Sequence, residues 1–195
     1  ISKSAIEFAQ KKYGTGNFKV LDNENLILKD NTLYDIVYSR DAIQHQVNPI
    51  QFLHNLIKLS KNYIVLRLRT RDKGKTEFNS EFSCQMHYDK YWMPYIVINI
   101  DELIEIFKMN SCIKEVSINK SYMILGGQTQ RFLPKDLYFS EAGTAETSII
   151  LKIDKSKNLT NILKINETLE KEGQNIISEN RFKFLIYRVL NKIGI

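Results

Sequence analysis

The hydrophobic positions of the chain fall into short apolar runs with the length and residue types of buried β-strands. Two of them, Phe18 to Leu21 and Tyr34 to Tyr38, lie near the start and end at polar residues. Three later runs, Tyr63 to Leu68, Ile113 to Ile118 and Thr147 to Ile153, have the same character. The pattern predicts a strand at each run, and the first two are expected to be neighbours in one sheet.

Helix-start signals lie among these runs. In chain order they are Ser4 with Glu7, Asn48 with Pro49, and Asn99 with Glu102. Each begins with a side chain that can cap the first turn of a helix. They predict helices that end near Gly14, Ser60 and Met109, and we expect the first helix to cover one face of the sheet. Strands alternating with helices indicate an α/β fold.

Polar side chains follow the first two predicted strands directly. Asp22 and Asn23 come after the first, and Ser39, Arg40 and Asp41 come after the second. In an open α/β sheet, ligands bind beyond the carboxyl ends of the strands. These residues are therefore candidates for a binding site.

Three stretches of the chain resemble the middle of the class I S-adenosylmethionine-dependent methyltransferases. They read LDNENLIL, DNTLYDIVYSRDAIQH and NPIQFLHNL. The resemblance is good over residues 1–70, weaker to about 153, and absent from the C-terminal tail. It implies a Rossmann-like methyltransferase sheet with helices on both faces, formed by residues 1–153, and S-adenosyl-L-methionine as the cofactor.

One part of that family's pattern is missing. The family has a glycine-rich loop after its first strand and an acidic residue after its second. None of the eight glycines here forms a G-x-G-x-x-G pattern, and the opening residues ISKSAIEFAQKKYG match the helix after the second strand. We therefore expect an N-terminally incomplete sheet. Either the chain begins partway through a longer protein, which we favour, or it is a degenerate relative.

The resemblance assigns roles to individual residues. Asp22 is expected to accept a hydrogen bond from the adenine amino group of the cofactor, because a carboxylate can only accept. Asn23, Ser39 and Arg40 are expected to contact the cofactor as well. His45 is expected to take a proton as the methyl group arrives, because imidazole titrates near neutral pH. The alternatives are a turn aspartate for Asp22 and a histidine that caps the following turn for His45.

Three arginines alternate at the end of the strand predicted over Tyr63 to Leu68. Because Arg67, Arg69 and Arg71 are two residues apart, an extended chain points them to one side. Their guanidinium groups could hold a phosphate or carboxylate of the substrate through bidentate bonds. The alternative is a solvated strand end.

Residues 72–97 have no clear period and carry many aromatic side chains. A long irregular insertion after a sheet strand is more often functional than idle. We interpret it as a substrate lid in which His87, Tyr88 and Trp92 contact a sugar-like or other cyclic polar acceptor. The same rings could instead pack the loop against the sheet.

The formal charge of +6 and the pI near 9.2 permit an anionic partner. A nucleic-acid substrate is nevertheless disfavoured, because no Asn-Pro-Pro-aromatic motif follows the strand at Tyr34. Cys84 and Cys112 form no CxxC motif and are expected to be reduced thiols, which favours a cytoplasmic protein. No metal site is predicted.

The tail, residues 154–195, is predicted to be a helical C-terminal extension. Its helices cover Asn158 to Glu172 and about Asn175 to Ile193. The last fifteen residues carry four basic side chains and no acidic one. Such a basic amphipathic helix could lie on an anionic membrane, but Phe184 and Tyr187 interrupt its polar side. They favour a helix-mediated contact with a partner domain or another subunit.

The sequence thus predicts a methyltransferase that acts on a small or glycan-like acceptor. The alternatives are a non-catalytic methyltransferase-like interaction module and a nucleic-acid methyltransferase.

Overall fold

The computed structural model describes residues 3–14, 18, 32–87, 91–122, 131–134, 137, 144–156 and 164–169. In chain order the elements are α1 (Lys3–Tyr13), β1 (Tyr34–Arg40), a 3-10 turn (Ile43–His45), α2 (Pro49–Leu59), β2 (Ser60–Arg71), β3 (Cys84–His87), β4 (Tyr91–Pro94), β5 (Ile98–Asn99), α3 (Ile100–Lys108), β6 (Ile113–Tyr122), β7 (Arg131–Phe132), β8 (Thr144–Ile153) and β9 (Lys164–Leu169). Within these residues the strands form a six-stranded main sheet and a three-stranded small sheet.

The main sheet mixes parallel and antiparallel pairs in the order β1-β2-β8-β6-β9. β1 is parallel to β2, and β8 is antiparallel to both β2 and β6. The short β5 pairs in parallel with the last two residues of β2. Because β1 and β2 are parallel neighbours, their carboxyl ends point to the same end of the sheet.

The core lies between one face of the main sheet and helices α2 and α3. Alternate residues of β2 and β8, including Ile64, Leu66 and Leu151, are fully buried there. They pack with Leu53 of α2 and Phe107 of α3 in one hydrophobic cluster. Burying an aliphatic side chain of this size stabilises the fold by roughly 1.5–3 kcal/mol. This packing fixes the position of the main sheet relative to α2 and α3.

The opposite face of the main sheet carries exposed apolar side chains. Ile36 and Tyr38 of β1 are 62% and 61% exposed, and Ile150 of β8 is 46% exposed. The sequence predicts helices on both faces, but α1 buries none of its residues and covers neither face within the described chain. α1 also begins at Lys3, which puts Ser4 inside the first turn rather than at the cap position.

Four of the predicted strands are confirmed. The runs at Tyr34, Tyr63, Ile113 and Thr147 lie within β1, β2, β6 and β8. The run from Phe18 to Leu21 lies outside the described residues, apart from Phe18. The predicted start of α2 is also confirmed, because the Asn48 side chain accepts a hydrogen bond from the Gln51 backbone N–H at 3.0 Å.

The helix predicted over Asn158 to Glu172 is wrong for its described part. Residues Lys164–Leu169 form β9, which pairs in parallel with β6. The Asn166 amide also donates to the Glu115 carboxylate at 2.9 Å. An unpaired strand edge offers a row of backbone donors and acceptors, and the edge of β6 overrides the local helical spacing. The second predicted helix lies outside the described residues.

The segment predicted to be an irregular lid contains regular structure. β3 and β4 form an antiparallel hairpin, and β7 pairs with β3 to complete the small sheet. Tyr95, Ile96 and Val97 follow β4 and are buried. The hairpin is therefore anchored to the body of the protein at its second end.

Asn99 joins α3 to the turn that follows β2. Its Oδ1 accepts hydrogen bonds from the backbone N–H groups of Asp101 at 2.8 Å and Glu102 at 3.1 Å, so it caps the helix. Its Nδ2 donates to the Gly74 carbonyl at 2.7 Å. The Glu102 carboxylate accepts from the Thr76 N–H instead of returning to the cap, so it also binds this turn.

Replacing Asn99 by Ala should lower the free energy of unfolding by about 2 kcal/mol, because the cap and the bond to Gly74 are both lost. Asn99→Ser keeps an oxygen that can cap the helix and loses only the donor to Gly74, so it should lose less. Urea denaturation of both variants measures the difference. Equal losses in the two variants would contradict the assigned capping role.

Candidate functional site

The two parallel strands end at different positions, which leaves a step at the carboxyl end of the pair. β1 stops at Arg40, whereas β2 continues to Arg71. The Asp41 N–H extends the pairing by donating to the Arg67 carbonyl at 2.9 Å. Asp41 then turns the chain away with a φ of 52°, a left-handed conformation that Asp tolerates better than most residues. We call the residues around this step the carboxyl-end crevice: Ser39, Asp41, Gln44, His45 and Arg69. The register places the Ser39 side chain on the core face beside Leu66, whereas the Arg69 side chain lies on the opposite face beside Glu146.

Gln44 closes the back of the carboxyl-end crevice. Its side-chain Oε1 accepts a hydrogen bond from the Arg69 backbone N–H at 3.4 Å, beyond the end of β1. Its own carbonyl accepts from the Ile96 N–H at 2.8 Å. Gln44 is 4% exposed, so both bonds are protected from water. It therefore ties β2 to the segment that follows the hairpin.

His45 is oriented by the hairpin. Its Nδ1 lies 2.9 Å from the Pro94 carbonyl oxygen. Because a carbonyl can only accept, Nδ1 carries the hydrogen, and the lone pair of the neutral ring is on Nε2. The Pro94 carbonyl therefore fixes the orientation of the His45 ring, and α2 is capped by Asn48.

Tyr95 and Arg131 form the wall beside His45. The rings of His45 and Tyr95 lie 5.5 Å apart, centroid to centroid. The Arg131 guanidinium lies 4.6 Å from the Tyr95 ring centroid, and its Nε donates to the Gln85 side chain at 3.1 Å. Sequence reasoning missed this pair, because Arg131 lies in a long loop with no periodic pattern to mark it.

Arg67 and Arg69 converge on Glu146 of β8. Arg67 forms an ion pair with one carboxylate oxygen, and Arg69 Nη2 lies 3.7 Å from the other. Arg67 also lies 4.0 Å from the Asp41 carboxylate. Arg69 Nη1 is buried and has no hydrogen-bond partner within the described residues. That nitrogen is a donor that a ligand could use.

Arg71 is separated from the other two arginines. It is 2% exposed, and its guanidinium donates to the carbonyls of Lys73 at 2.5 Å and Lys75 at 3.2 Å. The sequence led us to expect all three guanidinium groups at one open site. Arg71 is not part of such a site, because β2 ends at Arg71 and the chain folds back over it. Arg71 holds the turn after β2.

The predicted cofactor contacts are placed in part. Ser39 is 6% exposed, and its hydroxyl has no hydrogen-bond partner within the described residues. The Arg40 side chain is 58% exposed, and its Nε lies 3.4 Å from the Asp41 carboxylate. Asp22, Asn23 and Tyr88 lie outside the described residues, and His87 is described only by its backbone, in β3.

Trp92 lies on the far side of the small sheet from Arg131. Directly paired residues of an antiparallel sheet share a face. The register therefore places Trp92, Pro94, Met86, Cys84 and Phe132 together on what we call the outer face. Gln85 and Arg131 lie on the inner face. The aromatic ring beside His45 is thus that of Tyr95, and Trp92 lies on the opposite face of the small sheet from Arg131.

The outer face contains a cavity of about 480 Å³. It is lined by Ser80, Glu81, Cys84, Trp92, Met93, Pro94 and Phe132. Burial raises the pKa of the Cys84 thiol, and a backbone hydrogen bond with Phe132 opposes this only in part. The thiolate is therefore disfavoured, which argues against Cys84 as a nucleophile.

In comparisons with known proteins, no family model matches the chain and no curated protein matches its sequence. Within the described residues, no group of three or more His, Cys, Asp or Glu side chains could hold a metal ion. None of the described helices has the length and hydrophobicity needed to cross a bilayer.

Because the pKa of Cys84 is raised, its alkylation by iodoacetamide at neutral pH should be slower than that of an exposed cysteine in a peptide. As the pH is raised, the alkylation rate of Cys84 should go on increasing after the rate of the peptide thiol has reached its plateau. The measurement is mass spectrometry of a Cys112→Ser variant, in which Cys84 is the remaining thiol. Faster reaction than the peptide at neutral pH would contradict the burial effect.

Proposed function

We propose that the protein is an S-adenosylmethionine-dependent methyltransferase whose carboxyl-end crevice accepts a small or glycan-like substrate. The observation that carries the proposal is the placement of His45. It stands just past the end of a parallel strand, with its Nδ1 hydrogen engaged by the Pro94 carbonyl. An oriented neutral imidazole at this edge of an α/β sheet is suited to proton transfer.

The strand order supports the same proposal. The resemblance to class I methyltransferases implies an antiparallel pair at the end of the domain, after the strand at Tyr63. β6 and β8 form such a pair, and β8 inserts between β2 and β6. The antiparallel pairing of β6 with β8 is the point that supports the proposal.

The residues present fit the cofactor that the resemblance implies. A buried hydroxyl without a partner is unfavourable by about 1–3 kcal/mol, and a polar atom of a ligand beside Ser39 would remove that penalty. Ser39 and Arg40 would hold the cofactor from β1, and Asp22 and Asn23 would do so from the preceding segment. When bound, S-adenosylmethionine supplies a methyl group activated by a sulfonium.

The chain's own residues would position the acceptor and take up its proton. His45 Nε2 would accept the hydrogen of an acceptor hydroxyl, and the Pro94 carbonyl would then stabilise the imidazolium through Nδ1–H. Arg69 Nη1 would donate to a phosphate or carboxylate of the acceptor. An anionic acceptor must compete with Glu146 for Arg67, which favours substrates with few charges.

A second candidate is a non-catalytic interaction module, and one observation favours it. The exposed apolar face of the main sheet, with Ile36, Tyr38 and Ile150, resembles a surface that a partner covers. Saturable binding of the cofactor by this protein would favour the enzyme over the interaction module.

The first test concerns the cofactor. Calorimetric titration with S-adenosylhomocysteine should give saturable binding, weakened about 5- to 150-fold in Asp22→Ala, because one charge-assisted hydrogen bond is lost. Ser39→Ala should weaken binding about 2- to 10-fold for the loss of a neutral bond. Asp35→Ala is the matched control, since this exposed carboxylate binds Asn62 and Lys61 at the other end of β1. Affinity unchanged in Asp22→Ala and Ser39→Ala would mean that the site is misplaced.

The second test concerns the proton acceptor. With a hydroxyl acceptor, His45→Ala should lower the single-turnover rate of methyl transfer by roughly 10²-fold and leave S-adenosylhomocysteine affinity unchanged. His54→Ala is the control, because that histidine lies on α2, outside the carboxyl-end crevice. A rate for His45→Ala within a few-fold of the wild-type rate would return His45 to a structural role.

A further inference from the structure

The outer face of the small sheet carries an unusual concentration of exposed aromatic rings. Trp92 is 52% exposed, Phe132 is 54% exposed, and Phe82 is 52% exposed. The Phe82 and Phe132 rings lie 6.2 Å apart and are tilted by 41°. Large apolar groups are normally buried, and a cluster of them around a cavity marks a binding surface.

The strand order sets the width of this surface. β3 lies between β4, which carries Trp92, and β7, which carries Phe132. Two strand spacings separate the outer strands by about 9.5 Å. Cys84 pairs with Phe132 and Met86 pairs with Trp92, so these two residues of β3 lie between the aromatic sides. A single six-membered ring fits over these two residues.

The charges at the cavity indicate which kind of ring-shaped ligand it would bind. Among the described residues that line it, Glu81 is the charged one, and the Ser80 hydroxyl is the other polar side chain. The carboxylate of Glu81 repels phosphorylated and acidic sugars, and its oxygens can accept hydrogen bonds from ring hydroxyls. The carbon-bound hydrogens of a sugar ring can lie against an aromatic face, which leaves the hydroxyls to the polar groups.

An organic cation is the nearest alternative ligand. Cation–π attraction is weak, however, unless several rings desolvate the cation. Here about half of the surface of each ring is open to water. The observations therefore favour a ligand that rests on rings in an open groove over one that must be enclosed.

We propose that the outer face binds the ring of a neutral sugar between Trp92 and Phe132, at a site separate from the carboxyl-end crevice. The register shows this separation. Arg131, which contacts Tyr95 beside His45, lies on the inner face of the small sheet, whereas Trp92 and Phe132 lie on the outer face. The site does not depend on methyl transfer. An extended glycan could occupy it whether or not the crevice holds a cofactor.

The chain contains its own reporter for this site, because Trp92 is its single tryptophan. Titration of the protein with methyl glucoside, methyl galactoside, methyl mannoside, N-acetylglucosamine and their disaccharides should give a saturable change of tryptophan emission with at least one of them. Phe132→Ala should weaken that binding about tenfold or more, through loss of one aromatic side. Phe132 is exposed, so the variant should retain the wild-type urea midpoint.

Tyr91→Ala is the matched control. Tyr91 is an exposed aromatic residue directly beside Trp92, but the alternation of β4 places it on the opposite face. Its removal should leave sugar affinity unchanged. A loss in Tyr91→Ala equal to that in Phe132→Ala would overturn the assignment to the outer face.

The two thiols provide a second readout. Cys84 lines the proposed site, whereas Cys112 lines a different cavity with His54 and Lys155. A saturating sugar should slow the reaction of N-ethylmaleimide with Cys84 and leave its reaction with Cys112 unchanged. Equal effects on both thiols would indicate a global change and would overturn the site.

Two further outcomes would also overturn the proposal. One is the absence of any saturable emission change with all of these sugars. The other is saturable binding of tetramethylammonium that is lost in Glu81→Gln, which would identify an organic-cation site. Titration of the same samples with S-adenosylhomocysteine keeps this result distinct, since cofactor binding and sugar binding can succeed or fail independently.

Discussion

The backbone of β2 must be paired along both of its edges, and much of the described structure follows from that requirement. On one edge β8 pairs with nine consecutive residues of the strand. On the other edge β1 stops early, so three different groups take over. They are the Asp41 N–H, the Gln44 side chain and the short β5. A buried peptide group without a partner is costly, which explains why the turn after β1 is held so close to β2.

That same requirement creates the carboxyl-end crevice. The turn that supplies Gln44 also places His45 against the hairpin, where the Pro94 carbonyl sets its tautomer. The hairpin in turn is held by Ser83 and Tyr95, which exchange two hydrogen bonds at 2.8 and 2.9 Å. His45 therefore depends on elements that are distant in the chain. The Pro94 carbonyl and the Tyr95 ring fix the orientation of its side chain.

The charges at this edge of the sheet are arranged in compensated groups. Arg67 and Arg69 share Glu146, while on the other face Lys120 lies 3.2 Å from Asp72. Tyr122 donates a second hydrogen bond to the same aspartate at 2.5 Å. Lys120 is nearly buried, so removing Asp72 would leave a cation without its carboxylate. The carboxyl ends of the strands thus carry several arginines and lysines whose charges are balanced in part by Glu146 and Asp72.

The sequence by itself determined the elements whose signals are local. Apolar runs predicted β1, β2, β6 and β8, and Asn48 and Asn99 predicted the starts of α2 and α3, because strand alternation and helix capping depend on residues a few positions apart. It also indicated His45 and Trp92 as residues of interest. The tertiary structure alone decided what these residues contact. Arg67 meets Glu146 across 79 positions of chain, Arg71 is buried by a turn, and the register of the hairpin places Trp92 on the face opposite Arg131. β9 forms where a helix was predicted because the open edge of β6 supplies partners. Pairing register and strand edges join residues that are distant in sequence, and no local pattern encodes them.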